Sequence, residues 1–252
     1  MDLNIQLTTA QSLTTTEEFA QMRNVPYHEA VGSLMYASLG THPDICFAVQ
    51  SVSRFNNKPT LTHWEAVKQI FRYLKGTWDH WLGFGGQKRE LLGYADADGS
   101  MEEDRKAISG YAFIINGGAI SWSAKCQEII SLSTSEYVVA TYAAKEGLWL
   151  RSITLQVFNL DLSATTLFCD NQSAIALAKE HHFPARTKHI NICFHFICWI
   201  IKEGKLCLVY CPTDNMIADM LTKALPLLKV KHFASKLGLV THWGGVLGSE
   251  IC

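Results

Sequence analysis

The 252-residue sequence has no C-x-x-C pair, no Asp-Asp dipeptide and no surplus of either charge. It also has no apolar run approaching the ~20 residues that a membrane-spanning helix needs. Its 22 Lys+Arg stand against 23 Asp+Glu, a formal net charge of −1. That balance excludes a histone-like polycation, which binds nucleic acid by bulk charge, and leaves local basic surfaces open. Charged residues make up only 18% of the chain, so long disorder is not expected. The length suits one large domain or two small ones, each with its own core. The opening MDLNIQLTTAQSLTTTEEF has neither the basic nor the apolar region of a signal peptide. The expected location is therefore intracellular, in cytoplasm or nucleus, with no membrane partner.

The eight cysteines sit mostly in apolar company (ICF, LFC, FIC, LCL), as small buried thiols do in a reducing compartment. His181, His182, Cys193, Cys198, Cys207 and Cys211 form a tempting metal set. They lack the tight knuckle spacings that structural zinc favours, so core thiols are the preferred reading.

What the chain does contain is a change of period. Residues 1–22 are Thr/Gln-rich and read as a poorly ordered lead-in. From 23 to 82 the pattern is helical: AVGSLMYASLGTHPDICFAVQSVSRF breaks at Gly40 and Pro43. In HWEAVKQIFRYLKGT, Trp64, Val67, Phe71 and Leu74 share one helix face. After a Gly-rich linker at 83–86, ELLGYADAD, ISGYAFIIN and GAISWSA read as strands, the last two joined by a hairpin at Asn116-Gly117-Gly118. A long helix over 135–158 follows, with Val138, Tyr142, Trp149 and Ile153 on one face. TTLFCD is a short strand leading into the helix NQSAIALAK. A helix over 188–203 buries Ile190, Phe194, Ile197 and Ile201. KLCLVYC is a strand, 214–224 a final helix, and 227–252 a C-terminal tail. The order βββαβααβα predicts an α/β fold over 90–226, a mixed sheet flanked by helices and preceded by a small helical module.

Four acids stand out by position. Asp96 ends the first strand, Glu136 lies in the first turn of the long helix, Asp170 ends the fourth strand, and Asp219 lies in the last helix. Carboxylates gathered at one spot raise each other's pKa, and a bound dication reverses that preference. Mg²⁺ suits such a set, and two ions about 3.5–4 Å apart can serve phosphodiester hydrolysis. Strand-end solvation and helix capping are the alternative reading of the same four positions.

The residues also carry a resemblance. PYHEAVGSLMYASLGTHPDICFAV, HWEAVKQIFRYLKGT, GYADADGSMEEDRKAISGYAF, CDNQSAIALAK, ARTKHI and YCPTDNMIADMLTKAL resemble, in order, the C-terminal part of a copia-type retrotransposon Pol polyprotein. That part comprises the end of the reverse transcriptase and a ribonuclease H domain. The resemblance implies a ribonuclease H-like fold, cleavage of the RNA strand of RNA–DNA hybrids, and two Mg²⁺ ions, for which Mn²⁺ can substitute. It implies Asp96, Glu136, Asp170 and Asp219 as catalytic and metal-holding residues. The remaining reverse-transcriptase portion is an implied partner. The missing Asp-Asp pair implies no polymerase activity in this fragment.

Asn171 and Gln172 are candidates for reading the hybrid's 2′-hydroxyls, with helix capping by Asn171 as the competing role. Arg186, Lys188 and His189 are candidate phosphate contacts, with a solvated loop as the alternative. Seven basic residues against two acids lie between 50 and 89, interleaved with aromatics, a pattern suited to tracking a duplex backbone. Two departures from the family pattern bear on activity. The segment before Glu136 is two residues shorter, and a two-residue slip would rotate a helical side chain by roughly 200°. Cys198 stands where a basic residue is common. A carboxylate of Glu136 within reach of Asp96 and Asp170 distinguishes an enzyme from an inactive remnant that keeps only the fold and weak nucleic-acid binding.

Overall fold

The computed structural model describes residues 7–8, 11, 15–86, 90–98, 107–127, 135–162, 164–180 and 188–241. Its first part is helical: α1 (Thr16–Met22), α2 (Tyr27–Gly40), a 3-10 turn at Pro43–Ile45, α3 (Cys46–Ser53) and α4 (Leu61–Gly76). The expected lead-in thus contains a helix. Its start is a capping box, in which the Glu18 N–H donates to the Thr15 hydroxyl and the Thr15 N–H to the Glu18 carboxylate. A Thr-x-x-Glu start is a local signal that a polar composition hides.

Helices α2–α4 close a small core around Tyr27, Val31, Leu34, Val49, Val52, Val67 and Ile70. The buried face of α4 is His63, Ala66, Val67 and Ile70, so of the expected stripe Trp64, Val67, Phe71 and Leu74 only Val67 is fully buried. Phe71 is exposed, and Trp64 and Leu74 only flank the core. The helix is turned so that its slimmer side chains face its neighbours and the bulky ones lie alongside.

Strand β1 (Trp81–Leu82) leads into the sheet formed by β2 (Leu92–Asp98), β3 (Ile108–Ile115), β4 (Gly118–Cys126), β5 (Thr165–Cys169) and β6 (Leu206–Tyr210). Their order is β4-β3-β2-β5-β6, antiparallel across β4-β3-β2 and parallel across β2-β5-β6. This is the expected mixed sheet, with helices packed on it. The β3–β4 hairpin turns at Asn116 and Gly117, with φ of 52° and 83°, the left-handed pair that a tight two-residue turn demands.

Helices α5 (Ser135–Phe158), α6 (Gln172–Glu180) and α7 (Lys188–Lys202) follow the expected pattern. The face of α5 differs from expectation. Its buried residues include Ala140, Ala143, Ala144 and Gly147, whereas Tyr142 and Trp149 are exposed. Small residues let the helix lie close on Ala95, Phe113 and Leu167, so the largest hydrophobics do not mark the inner face. In α7, Phe194, Ile197 and Ile200 are buried and Ile201 is partly so; the Ile190 side chain lies outside the described residues.

The expected final helix over 214–224 is instead a 3-10 turn at Thr213–Asn215 followed by the one-turn helix α8 (Asp219–Thr222). Beyond it, the stretch read as a tail holds α9 (Leu227–Lys236) and β7 (Leu239–Val240), which pairs with β1. Phe233, Ala234 and Leu237 fill a second core on the other sheet face with Ile217, Leu221, Ile114 and Cys46 of α3. The Trp122 indole N–H also donates to the Ser38 carbonyl at 2.7 Å, tying β4 to α2. An apolar cavity of about 140 Å³ remains in the seam between α3, α4 and the α8–α9 segment.

The position of α8 depends on a residue without a side chain. A Cβ on Gly110 in β3 would lie 2.7 Å from Thr222 Cγ2 and 2.8 Å from Leu221 Cβ. Gly110→Ala is therefore expected to push α8 off the sheet and lower stability by about 1–3 kcal/mol. Thermal unfolding checks this: a variant as stable as the parent chain would mean that β3 does not fix α8.

Candidate active site

Register brings two of the acids together. Tyr94 in β2 pairs with Phe168 in the parallel strand β5. Asp96 and Asp170 each lie two residues further along, at the same level of adjacent strands. Glu136 reaches them from the first turn of α5. One carboxylate oxygen from each of Asp96, Glu136 and Asp170 lies within 4.8 Å of the others, and this is the one such group of three or more potential ligands among the described residues.

The segment before Glu136, which the resemblance leads one to expect shortened, lies largely outside the described residues, but the residues that flank it are joined directly. The Gln127 amide donates to Ser109 Oγ at 2.7 Å and to the Ser135 carbonyl at 3.1 Å. The Gln127 N–H donates to the Ala107 carbonyl at 2.7 Å. A buried glutamine thus clamps the start of α5 to β3 and β4 and aims Glu136 at the strand ends.

The charges are unfavourable as they stand. Burial, with Asp96 and Asp170 nearby, pushes the Glu136 carboxyl up to about 8. Burial pushes Asp96 up to about 6, against the pull of Lys223 and Thr222. An all-oxygen, carboxylate-only donor set short of positive charge suits a hard divalent cation.

Asp219 is placed differently. It is fully buried at the start of α8, and its two oxygens face Lys223 Nζ at 2.9 Å and Lys229 Nζ at 3.8 Å. It lies near Asp96 and Asp170 without joining the three-acid group. Burial raises its pKa, opposed by Lys223. Thr222 Oγ1 donates to Asp96 Oδ2 and, at 3.3 Å, to the Asp219 carbonyl. Sequence reasoning missed Thr222 and Lys223. Their signal is helical spacing, since residues three and four beyond Asp219 must share its face.

Beside the acids, Glu136, Asp170, Asn171, Gln172 and Tyr210 line an open cleft of about 380 Å³. Asn171 Oδ1 accepts from the Ala174 N–H at 3.0 Å, so that oxygen caps α6, while Gln172 is exposed at the cleft. Arg186 lies outside the described residues. Lys188 and His189 open α7, and their side chains lie outside them too. Cys198 is buried and its thiol donates to the Ala178 carbonyl at 3.3 Å, so this departure from the family pattern falls on a packing position. The seven described cysteines form no disulfide.

In the helical part, Arg72 pairs with Glu65 at 3.3 Å, and Lys68 pairs with the same carboxylate. Phe55 is buried and stacked on His63, whereas Trp78 is 83% exposed, so the interleaved aromatics divide between core and surface.

No family model matches the chain. It is 46% identical over 226 residues to the retrovirus-related Pol polyprotein from transposon TNT 1-94 of Nicotiana tabacum, covering 88% of this chain and 17% of that protein. It is 34% identical over 229 residues to the polyprotein from transposon RE2 of Arabidopsis thaliana, covering 88% of this chain and 16% of that protein. The chain thus spans about a sixth of the length of these curated relatives. Among solved structures, LC11-RNase H1 in complex with an RNA/DNA hybrid aligns with a TM-score of 0.41 at 15% identity, over 53% of this chain and 94% of that one.

The raised carboxyl pKa values fix the sign of a pH dependence. The ordinary values are 3.8 for Asp96 and 4.5 for Glu136, and the folded values are about 6 and about 8. Between those limits the folded state holds more protons than the unfolded chain, so stability falls as pH rises from about 4 to about 8. Without divalent ions, Tm is expected to be higher at pH 5 than at pH 8, and Glu136→Gln should flatten the slope. Calorimetric melting across that range checks it, and a rise in Tm toward pH 8 would contradict it.

Proposed function

The chain belongs to the retrovirus-related Pol polyproteins of copia-type transposons, and we propose that it is their ribonuclease H portion (about 90–226) carried behind the end of the reverse transcriptase (about 23–82). Its proposed activity is endonucleolytic cleavage of the RNA strand of RNA–DNA hybrids, without polymerase activity in this fragment. One observation carries the reading: Asp96, Glu136 and Asp170, from two strands and a helix, converge within 4.8 Å of one another. Carboxylates gathered for capping or solvation would have no reason to meet, and their mutual repulsion opposes it.

In this reading Asp96, Glu136, Asp170 and Asp219 hold two Mg²⁺ ions, or Mn²⁺ in their place. When bound, the ions supply a polarised water and neutralise charge developing on the phosphate oxygens. The chain's own part is positional. β2 and β5 hold Asp96 and Asp170 level, and Gln127 sets the start of α5 and so Glu136. Gln172 and Tyr210 face the open cleft beside the acids, where an RNA backbone can lie. Gln172, and Asn171 through atoms not used in capping, are proposed to contact the sugar edge of the hybrid, where the 2′-hydroxyls distinguish RNA from DNA. Arg186, Lys188 and His189 are proposed phosphate contacts, and the rest of the reverse transcriptase a proposed partner. The placement of Glu136 favours an enzyme over an inactive remnant.

Cleavage of an end-labelled RNA–DNA hybrid with Mg²⁺ tests the reading. The unmutated chain is expected to cut the RNA strand and leave RNA duplex and DNA duplex intact. Asp170→Asn is expected to lose at least about a hundredfold in rate, the upper end of what even outer-shell changes cost at metal sites. Absence of cleavage at high enzyme concentration would leave the inactive remnant as the reading, and equal cleavage by both chains would refute the assignment of Asp170.

A further inference from the structure

Asp219 is the acid that the three-residue group leaves out, and the structure shows why. It is fully buried, and both its carboxylate oxygens already face ammonium groups, Lys223 at 2.9 Å and Lys229 at 3.8 Å. Lys223 also stands 3.9 Å from Asp96 Oδ2, the oxygen that accepts from Thr222. One ammonium thus spans Asp96 and Asp219. Its stem belongs to the residue after α8, and its side chain is 31% exposed, so its tip has a path to solvent. Burial alone would lower the pKa of this amine, but Asp96 and Asp219 outweigh it and raise it, so Lys223 stays charged at neutral pH.

An ammonium and a divalent cation repel each other strongly within a few ångströms in a poorly solvated site. The unequal pairing of the four acids therefore has a consequence for ion binding, resting on the functional reading above. We propose that Lys223 is a positioning residue that acts as the chain's own cation on the Asp219 side of the site, so that the resting protein takes one divalent ion at Asp96, Glu136 and Asp170 and admits a second only when Lys223 leaves Asp219. Thr222 supports the arrangement by holding Asp96 Oδ2 toward Lys223. Lys229 serves the other Asp219 oxygen from α9 and has the smaller effect, since it is farther away and also faces Asp214 at 3.7 Å.

The test counts ions and requires no turnover. The full chain is titrated with Mn²⁺ in the absence of nucleic acid, and free Mn²⁺ is read by electron paramagnetic resonance; melting curves establish that each variant is folded. The unmutated chain is expected to take one Mn²⁺ per molecule. Lys223→Met keeps the length of the stem and removes the charge, and is expected to take two, with the second bound about tenfold or more tighter than in the unmutated chain. Lys223→Arg, which keeps the charge, is expected to return to one. Adding Asp219→Asn to Lys223→Met is expected to abolish the second ion, which locates it. Equal stoichiometry and affinity for the unmutated chain and Lys223→Met would overturn this inference alone. If neither chain binds Mn²⁺, the metal-dependent functional reading falls with it.

Discussion

Mutual repulsion among carboxylates at the ends of β2 and β5 is the constraint on which the rest of this structure depends. Nothing in a hydrophobic core gathers like charges, so the backbone must hold them there. Two parallel strands in register supply the fixed pair, and a helix anchored by a buried glutamine supplies the third. The cost is visible in the tighter hold that Asp96 and Glu136 keep on their protons. A site of this kind is stable only because the surrounding packing is rigid. The close contact of the small residues of α5 with the sheet provides that rigidity.

The fourth acid shows a different solution to the same problem. Asp219 is compensated from within the chain, by lysines that flank it in sequence and in space. Two electrostatic regimes therefore adjoin one another: three carboxylates have one ammonium at the edge of Asp96, whereas Asp219 alone faces two. Thr222 connects them through its bond to Asp96. The bare surface of Gly110 makes that meeting possible, because any side chain there would occupy the space of α8.

Much of this was legible in the sequence, for reasons that differ by element. Strands β2, β3 and β5 announce themselves by alternation and by the Asn-Gly turn, and acids at their ends can be assigned to one edge once the strands are assumed parallel. Glu136 stood out by its place in the first turn of the long helix, and the family resemblance matched it to the same acidic set. The inner face of α5 was not legible, because helix contact there is made by alanines and a glycine while Tyr142 and Trp149 point outward. The one-turn α8 was overread as a full helix, since the pattern cannot show where four residues suffice. Helix α9 and the pairing of β7 with β1 depend on long-range contacts that no local window contains. Asn171 was divided between two roles, and its bond to Ala174 assigns one of its atoms to the bland one.

The seam between the helical part and the sheet has a further meaning. Cys46 of α3 lies in the same core as Phe233 and Leu221, Trp122 is bonded to Ser38, and β1, just before the sheet, pairs with β7, just after α9. A boundary drawn where composition changes does not coincide with a boundary of cooperativity. The helical part and the sheet are expected to open together in hydrogen exchange, and excising residues 90–226 alone would strip one sheet face of α9 and leave Ile114 and Leu221 in water. The unit that packs and unfolds together is therefore larger than residues 90–226.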